Sequence, residues 1–274
     1  MPHCESPPMP LLVRFSLAFL MVTSLIAGAG AQDEALAAIA QEAALTTFNS
    51  DEGLTRLTRS SAKADFAALA NQFEAQSNAA FCGPTTAAIV LNAVNGRRPG
   101  LPRDRSRLSA EDIKHFPDTF DLTVARFTQD NVIARGTKTR AQILGEPVTL
   151  NGKLIRDPGY QTRQLDEMLR ANGLHTRLVI ADDKVSDTDI RKELIDNLKR
   201  HGDFVIVTYN RRAVGQEGGG HISPLGAYDA ESDSFLILDV NPSSAGWVWM
   251  PGATLIKGLR SFDTVENRGY ILVE

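Results

Sequence analysis

Residues 76–94 read Gln76-Ser77-Asn78-Ala79-Ala80-Phe81-Cys82-Gly83-Pro84-Thr85-Thr86-Ala87-Ala88-Ile89-Val90-Leu91-Asn92-Ala93-Val94. From Thr85 to Val94 nearly every residue is small or apolar, which predicts a buried helix ending near Asn95-Gly96. Proline fits a helix only within its first turn, so Pro84 puts Cys82 at or just before the helix N-terminus. The positive end of the helix dipole favours a thiolate there, and Gly83 removes side-chain bulk beside the sulfur. A cysteine on an apolar helix is more often simply a small packed residue. Two features move the reading toward a nucleophile: its place at the helix start, and its lack of a partner.

That isolation follows from the composition. The 274-residue chain is 43% hydrophobic and 23% charged, an ordinary globular balance that excludes a disordered tail, a collagen-like fibre or a coiled coil. A chain of this size buries ample apolar surface as one domain or as two lobes sharing a core. With 29 basic and 33 acidic residues the net charge is −4, so nothing points to nucleic acid or an anionic membrane. Two cysteines, Cys4 and Cys82, cannot form a disulfide framework, and no Cys/His spacing resembles a zinc site. The chemistry is therefore expected from a few single residues, with no metal site.

Arg14, the apolar run Phe15–Ala27 and Ala29-Gly30-Ala31 have the layout of a secretory signal peptide over residues 1–31. The run is shorter than the roughly 20 residues that span a bilayer; an uncleaved anchor is the alternative. Cleavage removes Cys4 and leaves Cys82 as a lone thiol in an oxidising compartment, secreted or periplasmic, where reactivity is the leading reason to keep one. No membrane contact is expected after cleavage.

The mature chain, 32–274, reads as a helical half of about 32–170 followed by a strand-rich half of about 171–274. Helices are expected at 33–48, 61–74, 85–94, from Ser109, at 164–171 and at 187–200. Residues 97–110 read as a surface loop. Strands are expected at 174–180, 204–209, 222–228, 235–240, 246–250 and 269–273, with a hairpin turn at Ala230-Glu231-Ser232-Asp233. The class is α+β.

A cysteine nucleophile needs a base, and the base needs an orienting group. His115, His175 and His201 have charged neighbours and suit solvent; His3 falls in the leader. His221 follows Gly218-Gly219-Gly220, which permit close backbone approach, and opens an apolar strand. No helix pattern or Gly-Lys-Ser/Thr follows these glycines, so they are not a phosphate loop. The hairpin across 230–233 returns the far end of its second strand toward His221, and Asp239 stands there after four apolar residues. An unpaired charge in that run would be costly, and an imidazole would satisfy it; capping the turn at Asn241-Pro242 is its alternative role. Gln76 could donate its amide to an oxyanion together with the Cys82 N–H.

The segments Gln76–Val94, Tyr209–Asp229 and Phe235–Val240 resemble the phytochelatin synthase family in its short bacterial form. The family patterns Gln-x5-Cys-Gly, Gly-His-x-Ser-Pro and Leu-Asp-Val correspond to Gln76/Cys82/Gly83, Gly220-His221-Ile222-Ser223-Pro224 and Leu238-Asp239-Val240. The likeness runs from about residue 69 to the end and is loose between about 97 and 200. It implies a papain-like fold with the nucleophile helix in an N-terminal helical lobe, and His and Asp in a C-terminal antiparallel β lobe. It also implies a Cys82/His221/Asp239 triad attacking the Cys–Gly bond of glutathione. Glycine is released, and the γ-glutamylcysteinyl group passes to water or to a second glutathione. Glutathione or its S-conjugates are then the partners. No cofactor is implied; a heavy-metal ion would enter as a glutathione thiolate complex. Gly219, Gly220 and Tyr209 are expected beside the substrate, with Arg211, Arg212 or Arg268 anchoring its carboxylates. A homodimer is left open.

One departure matters. After Leu-Asp-Val the family carries an Arg and then a Lys/Tyr/Pro-Pro stretch, whereas this chain reads Asn241-Pro242-Ser243-Ser244-Ala245-Gly246 before Trp247-Val248. The lost cations would suit an acceptor carboxylate, so hydrolysis is expected to outweigh chain extension. A papain-like peptidase acting on another peptide, and a non-catalytic module binding thiol–metal complexes through Cys82, stay open as readings.

Overall fold

The computed structural model describes residues 44–274, apart from 97, 106, 107, 117 and 151. The leader over 1–31 and most of the helix expected at 33–48 lie outside the described residues. The chain begins with β1 (Thr46–Thr47), α1 (Asp51–Arg59), α2 (Phe66–Asn71), α3 (Cys82–Asn95), α4 (Ala110–Lys114) and α5 (Arg140–Ile143). It continues with β2 (Val148–Leu150), β3 (Lys153–Ile155), α6 (Thr162–Ala171), β4 (Thr176–Ile180), α7 (Asp187–Leu198) and β5 (Phe204–Asn210). The last elements are β6 (Gly220–Asp229), β7 (Ser234–Ile237), β8 (Val248–Pro251), α8 (Gly252–Leu259) and β9 (Gly269–Val273).

Seven of these strands form one antiparallel sheet in the order β1-β8-β7-β6-β5-β9-β4, and β2 and β3 form a separate hairpin. The class is α+β, mixed helices around a large antiparallel sheet. The sheet is covered on both faces because its strands are apolar at both parities. Along β5, Phe204 and Ile206 join one core cluster while Val205, Val207 and Tyr209 join the other; along β9, Ile271 and Val273 separate in the same way from Tyr270 and Leu272. Strand side chains alternate with a period of two, so two apolar parities demand two covering layers. α3 and α6 supply Ile89, Leu91, Leu165 and Met168 to the first, and α7 and α8 supply Ile190, Leu194, Leu255 and Leu259 to the second.

The boundary expected near 170 falls at the end of α6, which packs on β4 and β9, and Leu45–Glu274 form one compact unit. Thr46–Thr47, placed in a helix by the sequence reading, instead pair with Val248 and Trp249 as an edge strand. Among the described residues no helix is long and apolar enough to cross a membrane.

Two local features place the site. The β6–β7 hairpin turns at Asp233, which adopts φ +44°, and a register shift between Leu225 and Ala227 bends β6. The chain after β7 is then fixed by Trp247, whose ring packs against Phe48, Phe66 and Phe73 with centroids 5.0–5.9 Å away.

Candidate active site

α3 begins at Cys82, with Phe81 as its N-cap residue. Thr85 bonds the Phe81 carbonyl through both its N–H (2.9 Å) and its hydroxyl (2.7 Å), which closes the first turn around Pro84. The helix is docked on β6 where Thr86 donates to the Ile222 carbonyl at 3.2 Å. Gly83 allows a close approach here: a Cβ there would lie 3.1 Å from the Tyr160 ring and 3.4 Å from the Ile222 side chain, so either neighbour would have to shift. The backbone N–H groups of Ile222 and Gly83 favour the ionised form of the Cys82 sulfur. The sulfur is thus held beside the residue that follows His221.

His221 pairs with Tyr209 across the β5–β6 ladder, and the two rings meet edge to face. Asp239 lies two residues past β7, opposite the start of β6. The structure brings the pair together: His221 Nε2 is 2.8 Å from Asp239 Oδ1 and 2.9 Å from Ser223 Oγ. With Nε2 engaged by a carboxylate, the N–H is assigned to Nε2, and Nδ1 is left to accept a proton.

Cys82 and His221 line the same cleft of about 680 Å3, within the ~300–1,000 Å3 typical of small-molecule sites. Its far wall carries Arg268 and Asp263, joined Nη2 to Oδ1 at 2.9 Å. Gly220 makes room for this pair, because a Cβ there would stand 2.8 Å from Arg268 Nη2. Asp157 also lines the cleft, yet its carboxylate is already occupied by Lys138, Gln161 and Thr264 at 3.0 Å each. It therefore builds the wall rather than offering a free charge. Asn78, Arg156 and Tyr160 are also among its lining residues.

The other expected contacts divide. Arg268 and Gly220 line the cleft; Tyr209, Gly219 and Arg211 are not among the lining residues. Tyr209 is wholly buried beneath His221, and Gly219 has open space where a side chain would be. Arg211 is turned away from the cleft onto Asp239, with Nη2 2.9 Å from Oδ1 and 2.8 Å from Oδ2. Gln76 donates to the Asn78 carbonyl at 2.8 Å, and its own carbonyl oxygen is buried without a partner. Gln76 is not among the residues lining the cleft, and its second amide hydrogen has no partner among the described residues. Asp157, Tyr160 and Asp263 were missed by the sequence reading. Asp157-Pro158-Gly159 carries a turn signal, but nothing in Phe262-Asp263-Thr264 marks a site.

Electrostatics modify the helix-end expectation. Burial pushes the Cys82 thiol up to about 11, outweighing the Ile222 and Gly83 N–H groups and the Arg211 charge. Burial likewise holds the His221 imidazole below its ordinary 6.5, against the pull of Asp239 and with a further push from Arg211. For Asp239 burial works upward, but the His221 hydrogen bond, the charges of His221 and Arg211, and the Asn241 N–H keep the carboxyl below the usual range. In the empty cleft both shifts favour the neutral thiol and the neutral imidazole. Among the described residues no group of three His, Cys, Asp or Glu side chains is placed to hold a metal ion.

Comparison with known proteins gives this geometry a lineage. The curated relatives include glutathione gamma-glutamylcysteinyltransferase 3 of Lotus japonicus, 27% identical over 76% of this chain and 37% of that protein. The glutathione gamma-glutamylcysteinyltransferase of Schizosaccharomyces pombe is 24% identical over 77% of this chain and 43% of its own length. Glutathione gamma-glutamylcysteinyltransferase 2 of Arabidopsis thaliana is 26% identical over 76% and 39%. The chain thus spans about two-fifths of the length of these relatives. The family model described as phytochelatin synthase matches residues 38–270, a stretch that holds the buried helix, both strands of the hairpin and every residue of the cleft; this chain belongs to the phytochelatin synthase family.

Proposed function

We propose that this chain is a cysteine-dependent enzyme that cleaves the Cys–Gly bond of glutathione. The observation that carries the reading is a shared cleft: Cys82 at a helix start and His221 at a strand start line it together, and Asp239 holds the imidazole from behind at 2.8 Å. A papain-like fold likewise carries its thiol at a helix start and its imidazole on a strand, which supports the reading.

In the first half-reaction His221 Nδ1 takes the thiol proton as Cys82 Sγ attacks the carbonyl carbon of the Cys–Gly bond. The oxyanion is met by the Cys82 N–H and the uncommitted amide hydrogen of Gln76. The imidazolium returns its proton to the departing glycine nitrogen, leaving a γ-glutamylcysteinyl thioester on Cys82. In the second half-reaction His221 deprotonates the acceptor, and the thioester collapses back to free thiol. A second glutathione acting through its amino nitrogen would extend the chain; water gives γ-glutamylcysteine.

Arg268 beside Asp263 is suited to the γ-glutamyl end, which carries an α-carboxylate and an α-ammonium. A hydrogen bond to a charged group contributes about 1.5–3 kcal/mol, so Arg268→Gln is expected to raise the KM for glutathione roughly 10- to 100-fold with a smaller change in kcat. A KM unchanged by that substitution removes Arg268 from the substrate site.

Water is favoured as acceptor. The segment after Asp239, Asn241-Pro242-Ser243-Ser244-Ala245-Gly246, carries no charged side chain that would hold a second carboxylate. Incubation with glutathione, followed by mass analysis of products, is expected to yield free glycine and γ-glutamylcysteine in equal amounts, with little longer peptide. Turnover of unrelated short peptides at rates above that for glutathione would transfer the reading to a general papain-like peptidase. Export of the mature chain by the 1–31 leader is part of the same proposal, tested by N-terminal sequencing of the protein from the producing cell.

A further inference from the structure

Arg211 is only 4% exposed, an unusual position for an arginine. It directly follows β5, and the loop 211–219 is wound around it. Its N–H donates to the Gly219 carbonyl at 2.9 Å, and its carbonyl accepts from the Gln216 N–H at 2.8 Å. Its Nη1 reaches Gln216 Oε1 at 2.8 Å. Gly218 adopts φ +115°, and a Cβ there would stand 3.0 Å from Arg211 Cδ, so the loop closes over the side chain only with glycine at that point. The remaining arm of the guanidinium meets Asp239. Oδ1 of that carboxylate thereby receives three donors: Arg211 Nη2 (2.9 Å), the Asn241 N–H (2.8 Å) and His221 Nε2 (2.8 Å).

We propose that Arg211 is a positioning residue: its guanidinium fixes both the Asp239 carboxylate and the glycine loop leading into His221, and so keeps the imidazole aimed at the cleft. This inference rests on the cysteine–histidine reading above. It assigns Arg211 to the support of Asp239 rather than to a substrate carboxylate. A planar fork with several fixed donors can join a loop to a carboxylate, and a lysine point charge cannot replace it in both directions.

The test is a double-mutant cycle of Arg211→Gln and Asp239→Asn, with Arg211→Lys as the milder variant. Two readouts are followed: kcat and KM for glycine release from glutathione, and the rate of Cys82 alkylation by iodoacetamide, which needs no substrate. Arg211→Gln is expected to lower kcat about 10- to 100-fold and leave KM within about threefold; Arg211→Lys recovers part of the loss. Combined with Asp239→Asn, the further loss is expected to stay below about threefold, because residues acting through one contact are not additive.

The charged and titratable groups around the His221 ring are Asp239 after β7, Arg211 after β5, Cys82 on α3, Tyr209 on β5, and the Arg268–Asp263 pair before β9. Of these, Arg211 opposes a charged imidazole. Removing Arg211 is therefore expected to move the acid limb of kcat/KM upward by about one pH unit. A rise in KM with kcat preserved, or full additivity with Asp239→Asn, overturns the proposal and returns Arg211 to substrate binding. If wild type releases no glycine, the function reading fails, yet the cycle still reads out in alkylation: a coupled, roughly tenfold slowing supports the positioning role, and no change overturns it.

Discussion

Cys82→Ala is expected to lower glycine release from glutathione by at least about 10⁴-fold, leaving only the residual rate that substrate binding and the oxyanion donors support, while the protein stays folded. The loss is large because the other cleft groups are poor nucleophiles: there is no second thiol, Thr208 is buried in a hydroxyl pair with Thr162 at 2.6 Å, Thr264 donates to Asp157 at 3.0 Å, and burial keeps the Tyr160 phenol protonated. The fold should tolerate the change. Alanine keeps the helix start, the Thr85 bonds to Phe81 and the Thr86 bond to Ile222, none of which uses the sulfur. Cys82→Ser keeps a donor of similar shape but a far weaker nucleophile, and should fall nearly as low. Glycine quantitation gives the rate, and a mass spectrum of rapidly quenched wild type should show one γ-glutamylcysteinyl group on Cys82. Equal activity from wild type and Cys82→Ala ends the enzyme reading.

Much of this site could be read before any coordinates, and the reason is local. Pro84 fixed where α3 could begin, and the small apolar run after it left only a buried helix. The turn at 230–233 set the hairpin register, so Asp239 had to return toward His221. Elements without an apolar period were not legible. α1, Asp-Glu-Gly-Leu-Thr-Arg-Leu-Thr-Arg, buries only Gly53, so no stripe marks it, and it is recognised from its Ser50 cap and the Trp249 Nε1 bond to the Gly53 carbonyl. α8 follows directly from a strand through Pro251-Gly252, a pair that reads as a turn. Arg211 was legible as a candidate but in another role, as an anchor for substrate, because an arginine at a strand end normally faces water and only the fold reveals that a loop closes over it. The helix-end argument for a lowered thiol pKa was incomplete in the same way, since it counted the dipole but not the burial that α3 acquires against β6 and Tyr160.

That burial leads to the second large effect. His221→Gln is expected to reduce kcat/KM about 10³-fold, the middle of the range for losing a general base, because glutamine can hold Asp239 but cannot shuttle a proton. The wild-type pH profile should carry the signature of the same group. The active pair holds one proton between sulfur and imidazole, so its two macroscopic limits belong to the pair. With the His221 value depressed below 6.5, the imidazole is neutral at pH 7, and activity is lost only as pH falls through that lower value. With the Cys82 value raised to about 11, the single proton is retained across the alkaline range. A plateau of kcat/KM from about pH 7 to beyond pH 9 is the expected shape, with Cys82 alkylation in the free enzyme still rising at pH 9. An alkylation rate already maximal at pH 6 would instead mean a preformed thiolate–imidazolium pair, stabilised by the helix end and Asp239 beyond what burial takes away. A substrate closing the cleft acts on the same balance, because an oxyanion beside the Cys82 N–H favours the imidazolium that the empty site disfavours. The proton then moves during attack, when the negative charge it leaves behind has somewhere to go.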